Sequence, residues 1–233
     1  MRNRTMIAVL GAALLLCAGV AHARPAGTAL HKDTATGAAY AGKFEVDVIK
    51  GSALTLAGKT TASCNDASFD GTSTADGATA SIVDTLIEDT SDTVEESCPT
   101  SPAGRTIVWD LGLPWAGASI VYAKAGGADG VLNASGVQLR TTTSGTGSTL
   151  SCYYGGAGDK GRIVFALYNR DNATRPVTAT DDLQAQLKNA VLTLDAARPS
   201  DTGCAPTLSL NGNFAVHGEA TADVFTQKLY ITG

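Results

Sequence analysis

Lys43-Phe-Glu-Val-Asp-Val-Ile-Lys50 sets Phe44, Val46 and Val48 on one side of an extended chain and Glu45 and Asp47 on the other. Side chains alternate faces in a strand but recur every 3.6 residues in a helix, so this stretch reads as a half-buried strand. Working outward, the same two-residue period returns. Gly51-Ser52 turns the chain, and residues 53–56 with 59–64 supply a second strand or pair. Arg105-Thr-Ile-Val-Trp-Asp110 is another, ended by Gly112-Leu-Pro-Trp115, where Pro114 restricts Leu113 and makes a corner. Residues 118–122, 130–132 and the run from Gly136 follow. Gly147-Ser-Thr-Leu-Ser-Cys-Tyr-Tyr-Gly-Gly156 is a strand that carries a cysteine and two aromatics and breaks on glycines. Gly161-Arg-Ile-Val-Phe-Ala-Leu-Tyr168 is the most apolar stretch after the N-terminus and reads as a central strand buried on both faces. Residues 205–216 and 224–231 are the last two.

Two segments are ambiguous. Ile82, Val83, Leu86 and Ile87 fall at i, i+1, i+4 and i+5, a spacing that fits a helical stripe as well as a strand, and the β-branched content tips it to strand. Leu183, Leu187 and Val191 open a helical pattern that ends as a strand. Residues 65–80 and 169–182 read as loops. About ten to twelve short strands, with 26 glycines to turn them, specify an all-β chain: a single antiparallel β-sandwich or jelly-roll-like domain over residues 43–233. Residues 24–42, rich in Ala, Thr and Gly, read as a flexible leader.

Arg2 and Arg4, the apolar run from Met6 to Val20, and Ala21-His22-Ala23 have the layout of a secretory signal peptide over residues 1–23, cleaved before Arg24. An uncleaved anchor and lipidation at Cys17 are the alternatives. The run is short for a span, and Leu16 is large where a lipid-attachment box wants a small residue. The expected location is therefore secreted, extracellular or envelope-associated, with no membrane span after cleavage. The formal charge is −5, and losing Arg2 and Arg4 makes the mature chain more acidic. With no basic cluster, a nucleic-acid partner is not expected.

Cys64, Cys98, Cys152 and Cys204 remain after cleavage. An even count in a secreted chain points to disulfides, and four cysteines allow three connectivities. Sequential pairing, Cys64–Cys98 and Cys152–Cys204, closes a loop within each half and is the expected one. Each bridge would contribute about 2–4 kcal/mol. No Cys-x-x-Cys spacing and no neighbouring histidine suggest a zinc site, and no metal or cofactor is expected.

The catalytic inventory is thin. His217 is the one histidine of the expected domain, and a strand-end histidine bonded to backbone is the plain reading. There is no Gly-x-Ser-x-Gly elbow to place a nucleophilic serine. Gly145-Thr-Gly147 and Gly155-Gly-Ala-Gly158 lack the lysine or helix of a phosphate loop. Asp84, Glu88, Asp89, Asp92, Glu95 and Glu96 would suit calcium by type, but without a calcium-loop spacing they read as a solvated acidic face. Carboxylate pairs for glycoside hydrolysis leave no local spacing. Of the aromatics Trp109, Trp115, Tyr122, Tyr153, Tyr154 and Tyr168, the two at turns, Trp115 and Tyr154, are the candidates to face a ligand. Asn133-Ala-Ser135 and Asn172-Ala-Thr174 match the glycosylation pattern, which matters only in a eukaryotic secretory route.

Cys64, Cys98, Leu113-Pro114-Trp115, Cys152-Tyr153-Tyr154-Gly155, Cys204 and the closing Leu229-Tyr230-Ile231 together resemble a loosely defined group of secreted, disulfide-pinned β-rich proteins of actinobacteria and related soil bacteria. The resemblance spans residues 43–233. It implies a secreted β-domain and carries over no catalytic residue. The function expected is a non-enzymatic binding or structural module at or near the cell envelope, with a glycan, a lipid or another surface protein as partner. The alternatives are an extracellular hydrolase with a spatially assembled carboxylate pair and a self-assembling surface protein.

Overall fold

The computed structural model describes residues 27–91, 96–145 and 148–233; the expected signal peptide lies outside them. Sixteen strands are present among the described residues. The first eight are β1 (Ala29–Lys32), β2 (Gly42–Val48), β3 (Leu54–Ala57), β4 (Thr61–Cys64), β5 (Asp66–Ser73), β6 (Ala80–Glu88), β7 (Ser97–Ser101) and β8 (Gly104–Asp110). The rest are β9 (Trp115–Ala125), β10 (Ala128–Ala134), β11 (Gln138–Gly145), β12 (Ser148–Gly155), β13 (Ile163–Tyr168), β14 (Leu183–Thr193), β15 (Thr207–Thr221) and β16 (Val224–Thr232). Among the described residues a single 3-10 turn, Gly158–Gly161, interrupts them. Every pairing is antiparallel.

The strand path is circular. From β15 it runs through β14, β13, β10, β9, β6, β5 and β2, and β2 pairs back onto β15 from Phe214↔Val48 to Gly218↔Phe44. Eight strands thus form a ring without a free edge. Its inward positions are set by the alternation seen in the sequence: Phe44, Val46, Phe69, Ile82, Leu132, Phe165, Leu183 and Phe214 are all fully buried. Phe69, Phe165 and Phe214, from three separate strands, meet edge to face with centroids 5.4–5.8 Å apart. The β1–β16 ribbon lies over one end, where Leu30 and Leu229 pack with Phe44, Ile120 and Leu167. Buried Asn169 clamps the ribbon by exchanging two 2.9 Å hydrogen bonds with the Ile231 backbone.

The remaining strands build a second ring that shares the β14–β15 hairpin with the first. Ser209–Asn211 of β15 pair with β3, and the order continues through β4, β7, β8 and β11 to β12. The last step is looser. Tyr154 of β12 makes one bridge to Leu194, just past β14, and the Asp195 and Asp201 amides donate to the Tyr153 and Ser151 carbonyls at 2.8 and 3.0 Å. The second ring has a smaller core of Leu54, Leu56, Ala62, Leu139, Leu192 and Leu210, with buried Thr106 and Thr141. It also holds both disulfides, paired sequentially as expected. Cys64–Cys98, 5.0 Å between Cα atoms, joins β4 to β7 two residues beyond Ala62↔Thr100, where the register sets them opposite. Cys152–Cys204, 5.7 Å apart, ties β12 to the β14–β15 loop across the seam.

The all-β, antiparallel, two-disulfide class agrees with the sequence reading, but there are sixteen strands rather than ten to twelve. One extra strand comes from the segment read as a leader. β1 pairs with β16, and Leu30 and Tyr40 are buried, so residues 29–40 belong to the fold. Another comes from the segment read as loop. β5 alternates Ala67 and Phe69 inward among small polar residues, too little apolar weight to register in sequence. β13 is not buried on both faces either: Val164 is exposed, because one side of the ring wall is outside.

Candidate ligand-binding site at the mouth of the second ring

The turns between β3 and β4 and between β7 and β8 lie beside Ser144 and Ser148 of the β11–β12 hairpin at one rim of the second ring. Between them opens a cleft of about 170 Å³ lined by Lys59, Thr60, Thr100, Thr143, Ser144 and Ser148. It continues inward past Thr143 and Leu150 into a narrow space of about 40 Å³ between Thr106, Thr141, Leu56, Leu208 and Tyr154. The threonines are here because the inward positions of β8 and β11 near the rim are Thr106, Thr141 and Thr143 rather than leucines. Thr106 and Thr143 hydrogen-bond each other at 2.8 Å. A hydroxyl-lined wall facing a leucine wall suits a ligand with one polar and one apolar face. The Lys59 ammonium stands at the rim without an ion pair among the described residues, close to where Gly203 leaves room for it.

Tyr154, one of the two aromatics singled out from sequence, lies at the floor of this space. It is 3% exposed, and burial pushes its phenol pKa up while the Ala205 amide holds the oxygen. Trp115, the other, does not face a ligand. It is 1% exposed and its Nε1 donates to the Leu111 carbonyl at 2.9 Å, so the corner folds the indole into the core. Lys59 and the threonines were not singled out in sequence, because an interior threonine looks like any other strand residue until the ring closes.

A second concentration of chemistry stands on the outer wall of the first ring. The register places Asp84 opposite Asp70, Asp70 opposite Glu45, and Glu45 opposite His217. Like charges directly opposite destabilise a sheet. Burial, then neighbouring Asp70, Asp47 and Asp66, push Glu45 up to about 7, and Asp47 and Asp70 move the same way, mainly by burial. His217 lies within β15 rather than at a strand end, and it bonds the Asp182 carboxylate at 3.1 Å rather than backbone. No hydroxyl or thiol nucleophile accompanies that pair in the hydrogen bonds described. Among the described residues, no group of three or more His, Cys, Asp or Glu is arranged to hold a metal ion. Asn172 of the second glycosylation pattern is occupied, its amide bonding Gly127 and Asp129.

The raised acid has a sign that can be measured. Between about 4.5 and about 7 an unfolded chain has lost this proton while native Glu45 keeps it. The native state then binds more protons, so the contribution is fully present below 4.5 and is lost as pH rises through 7. Discounted for partial exposure, the effect is on the order of 1 kcal/mol. Glu45→Gln is expected to stabilise the protein at pH 8 by about that much and to leave it nearly unchanged at pH 4. Urea denaturation at the two pH values checks this; an equal difference at both would remove the assigned proton.

Comparison with protein-family models, with curated proteins and with solved structures finds no match to this chain. The function therefore rests on the geometry alone. No helix of the described residues is long and apolar enough to cross a membrane.

Proposed function

We propose that this protein is a secreted, non-enzymatic binding module acting at or near the cell envelope, which takes its ligand in the mouth of the second ring. One observation carries the reading: a cleft lined by hydroxyls and Lys59, built on strands that both disulfides staple. A disulfide-held rim loses little conformational entropy on binding, which favours affinity. Two disulfides fit an oxidising, extracellular setting. The closed first ring leaves no long free edge there for strand-to-strand assembly.

Glu45 and Asp70 favour a second reading, a hydrolase, since they are opposed carboxylates with one pKa near 7. They stand on an outer wall and line none of the cavities described, so nothing beside them orients a substrate.

Thermal denaturation of the oxidised protein against glycans, lipids and divalent cations tests the binding reading. A ligand at about 100 times its dissociation constant adds about 2.7 kcal/mol, about 5–10 °C for a chain of this size. Lys59→Ala with Thr60→Ala should abolish that shift while leaving the unliganded melting temperature in place. Silence across the panel would sink the small-ligand reading; turnover of a glycan that stops in Glu45→Gln would replace it with the hydrolase.

A further inference from the structure

On the outer wall of the second ring the register aligns Trp109 of β8 with Arg140 of β11, and Arg140 with Tyr153 of β12. These positions point outward, because Thr141 and Cys152 next to them line the interior and strand neighbours alternate. The Arg140 guanidinium stands 6.0 Å from the Trp109 ring centroid, and Arg198, from the loop after β14, stands 5.6 Å from that of Tyr153. The face thus reads aromatic, cation, aromatic, cation. Trp109 remains 42% exposed. With strands spaced about 4.8 Å, its ring and that of Tyr153 lie about 10 Å apart across the wall.

The two arginines differ in what they already hold. Arg198 bonds Gln138 at 2.8 Å and approaches Asp195 at 3.5 Å. Arg140 has no ion pair and no hydrogen bond among the described residues, and its Nε is shut off from water with no acceptor. The Thr142 hydroxyl, two residues along the same outward face, is orphaned in the same way. A buried donor without a partner is costly, more so on a charged group, and native structures keep few of them. A guanidinium without an ion pair among the described residues, set beside an exposed indole, fits a surface completed by a ligand. The planar guanidinium fork matches a carboxylate. An exposed indole offers a flat apolar platform for the C–H face of a sugar ring.

We propose that this face binds an acidic polysaccharide, with a sugar ring on Trp109 and its carboxylate received by Arg140. The site is separate from the mouth of the ring and stands whether or not the mouth takes a ligand. The acidic net charge of −5 does not oppose it. Screening over about 8 Å at physiological ionic strength leaves only near charges to count, and the carboxylates near this wall, Asp195 and Asp201, already face Arg198 and the Ser151 amide. A neutral glycan would leave Arg140 as it is.

The test is calorimetric titration of the full oxidised protein with short oligogalacturonides and alginate oligomers. The same galacturonides as full methyl esters, which keep the backbone and lose the charge, are the first control, and free galacturonate is the second. The acidic oligomers are expected to bind, the esters at least tenfold more weakly, and the monomer more weakly than its oligomers. Arg140→Gln and Trp109→Ala should each weaken binding about tenfold, the equivalent of about 1.4 kcal/mol. Arg140→Lys should fall between, and Lys59→Ala at the mouth should change nothing. Equal binding of acid and ester, no binding of either acidic oligomer, or wild-type affinity in Arg140→Gln would each overturn the proposal.

Discussion

Phe165→Ala is expected to cost about 4 kcal/mol, the largest loss of any single substitution considered. The ring is fully buried and sits between Phe69 and Phe214, at 5.4 and 5.7 Å. Truncating a buried phenylalanine removes its transfer free energy and leaves a cavity, together about 3–5 kcal/mol. Each aromatic pair is worth a further fraction of about 0.5–1.5 kcal/mol beyond area. A closed ring has little room to collapse, since moving one wall strand inward strains its hydrogen bonds to both neighbours. At about 2–4 °C per kcal/mol the melting temperature should fall by about 8–16 °C. Val164→Ala, one residue away on the outside of the wall, should change stability by no more than about 0.5 kcal/mol. Urea denaturation of the two variants makes the comparison. A loss below about 1 kcal/mol in Phe165→Ala would mean that the three rings do not anchor the first ring.

The second large effect concerns the seam. With a sequence separation of 52 between Cys152 and Cys204, loop-closure entropy assigns the bridge about 4 kcal/mol, and with 34 for Cys64 and Cys98 nearly the same. The structure separates what that entropy does not. Cys64–Cys98 lies between β4 and β7, which also pair through Thr61↔Ser101 and Ala62↔Thr100. Cys152–Cys204 holds a closure that otherwise rests on one bridge and a few loop hydrogen bonds. Replacing Cys152 and Cys204 together by alanine should therefore release β12 and the β14–β15 loop locally, besides lowering global stability. Hydrogen exchange should show lost protection in β12, with β5, β10 and β13 still protected below the global transition. Uniform loss throughout the chain would mean that the seam is not an independent weak point.

How much of this was legible depended on whether the signal was local. The alternation of Phe44, Val46 and Val48 is local, and so is the cysteine count; both lead to the right class. Each of the two helix-like segments carries a β-bulge. In β6 the partner register steps from Asp70↔Asp84 to Gly71↔Ile82, which leaves Val83 as the extra residue of a β-bulge. Inward positions change phase there, and Ile82, Val83, Leu86 and Ile87 acquire a helical spacing although Val83 and Leu86 are exposed. In β14, Lys188 and Asn189 oppose Asn211 alone, and this bulge turns Val191 outward, so the apparent stripe of Leu183, Leu187 and Val191 does not share one face. Bulges insert a residue on one strand and shift its alternation, which no single-strand periodicity can display. The candidate sites were less legible still. Trp115 and Trp109 each lie close to a corner, yet one is core and the other surface. Only pairing between distant strands decides which, and the same pairing gathers the mouth threonines and sets Arg140 between two rings.

The circular strand path also dictates an order of events. The first ring closes through β2 and β15, strands that lie near opposite ends of the described chain. Before β15 is in place, β2 has only β5 beside it, and the hairpins of the second ring must already have been laid aside on the way. Pairings so distant in sequence are slow to form, and unpaired edges invite association in the meantime. Closure is thus a late step for a chain made from its N-terminus. The interval before it, more than the finished ring, is where this protein would need protection from its own copies.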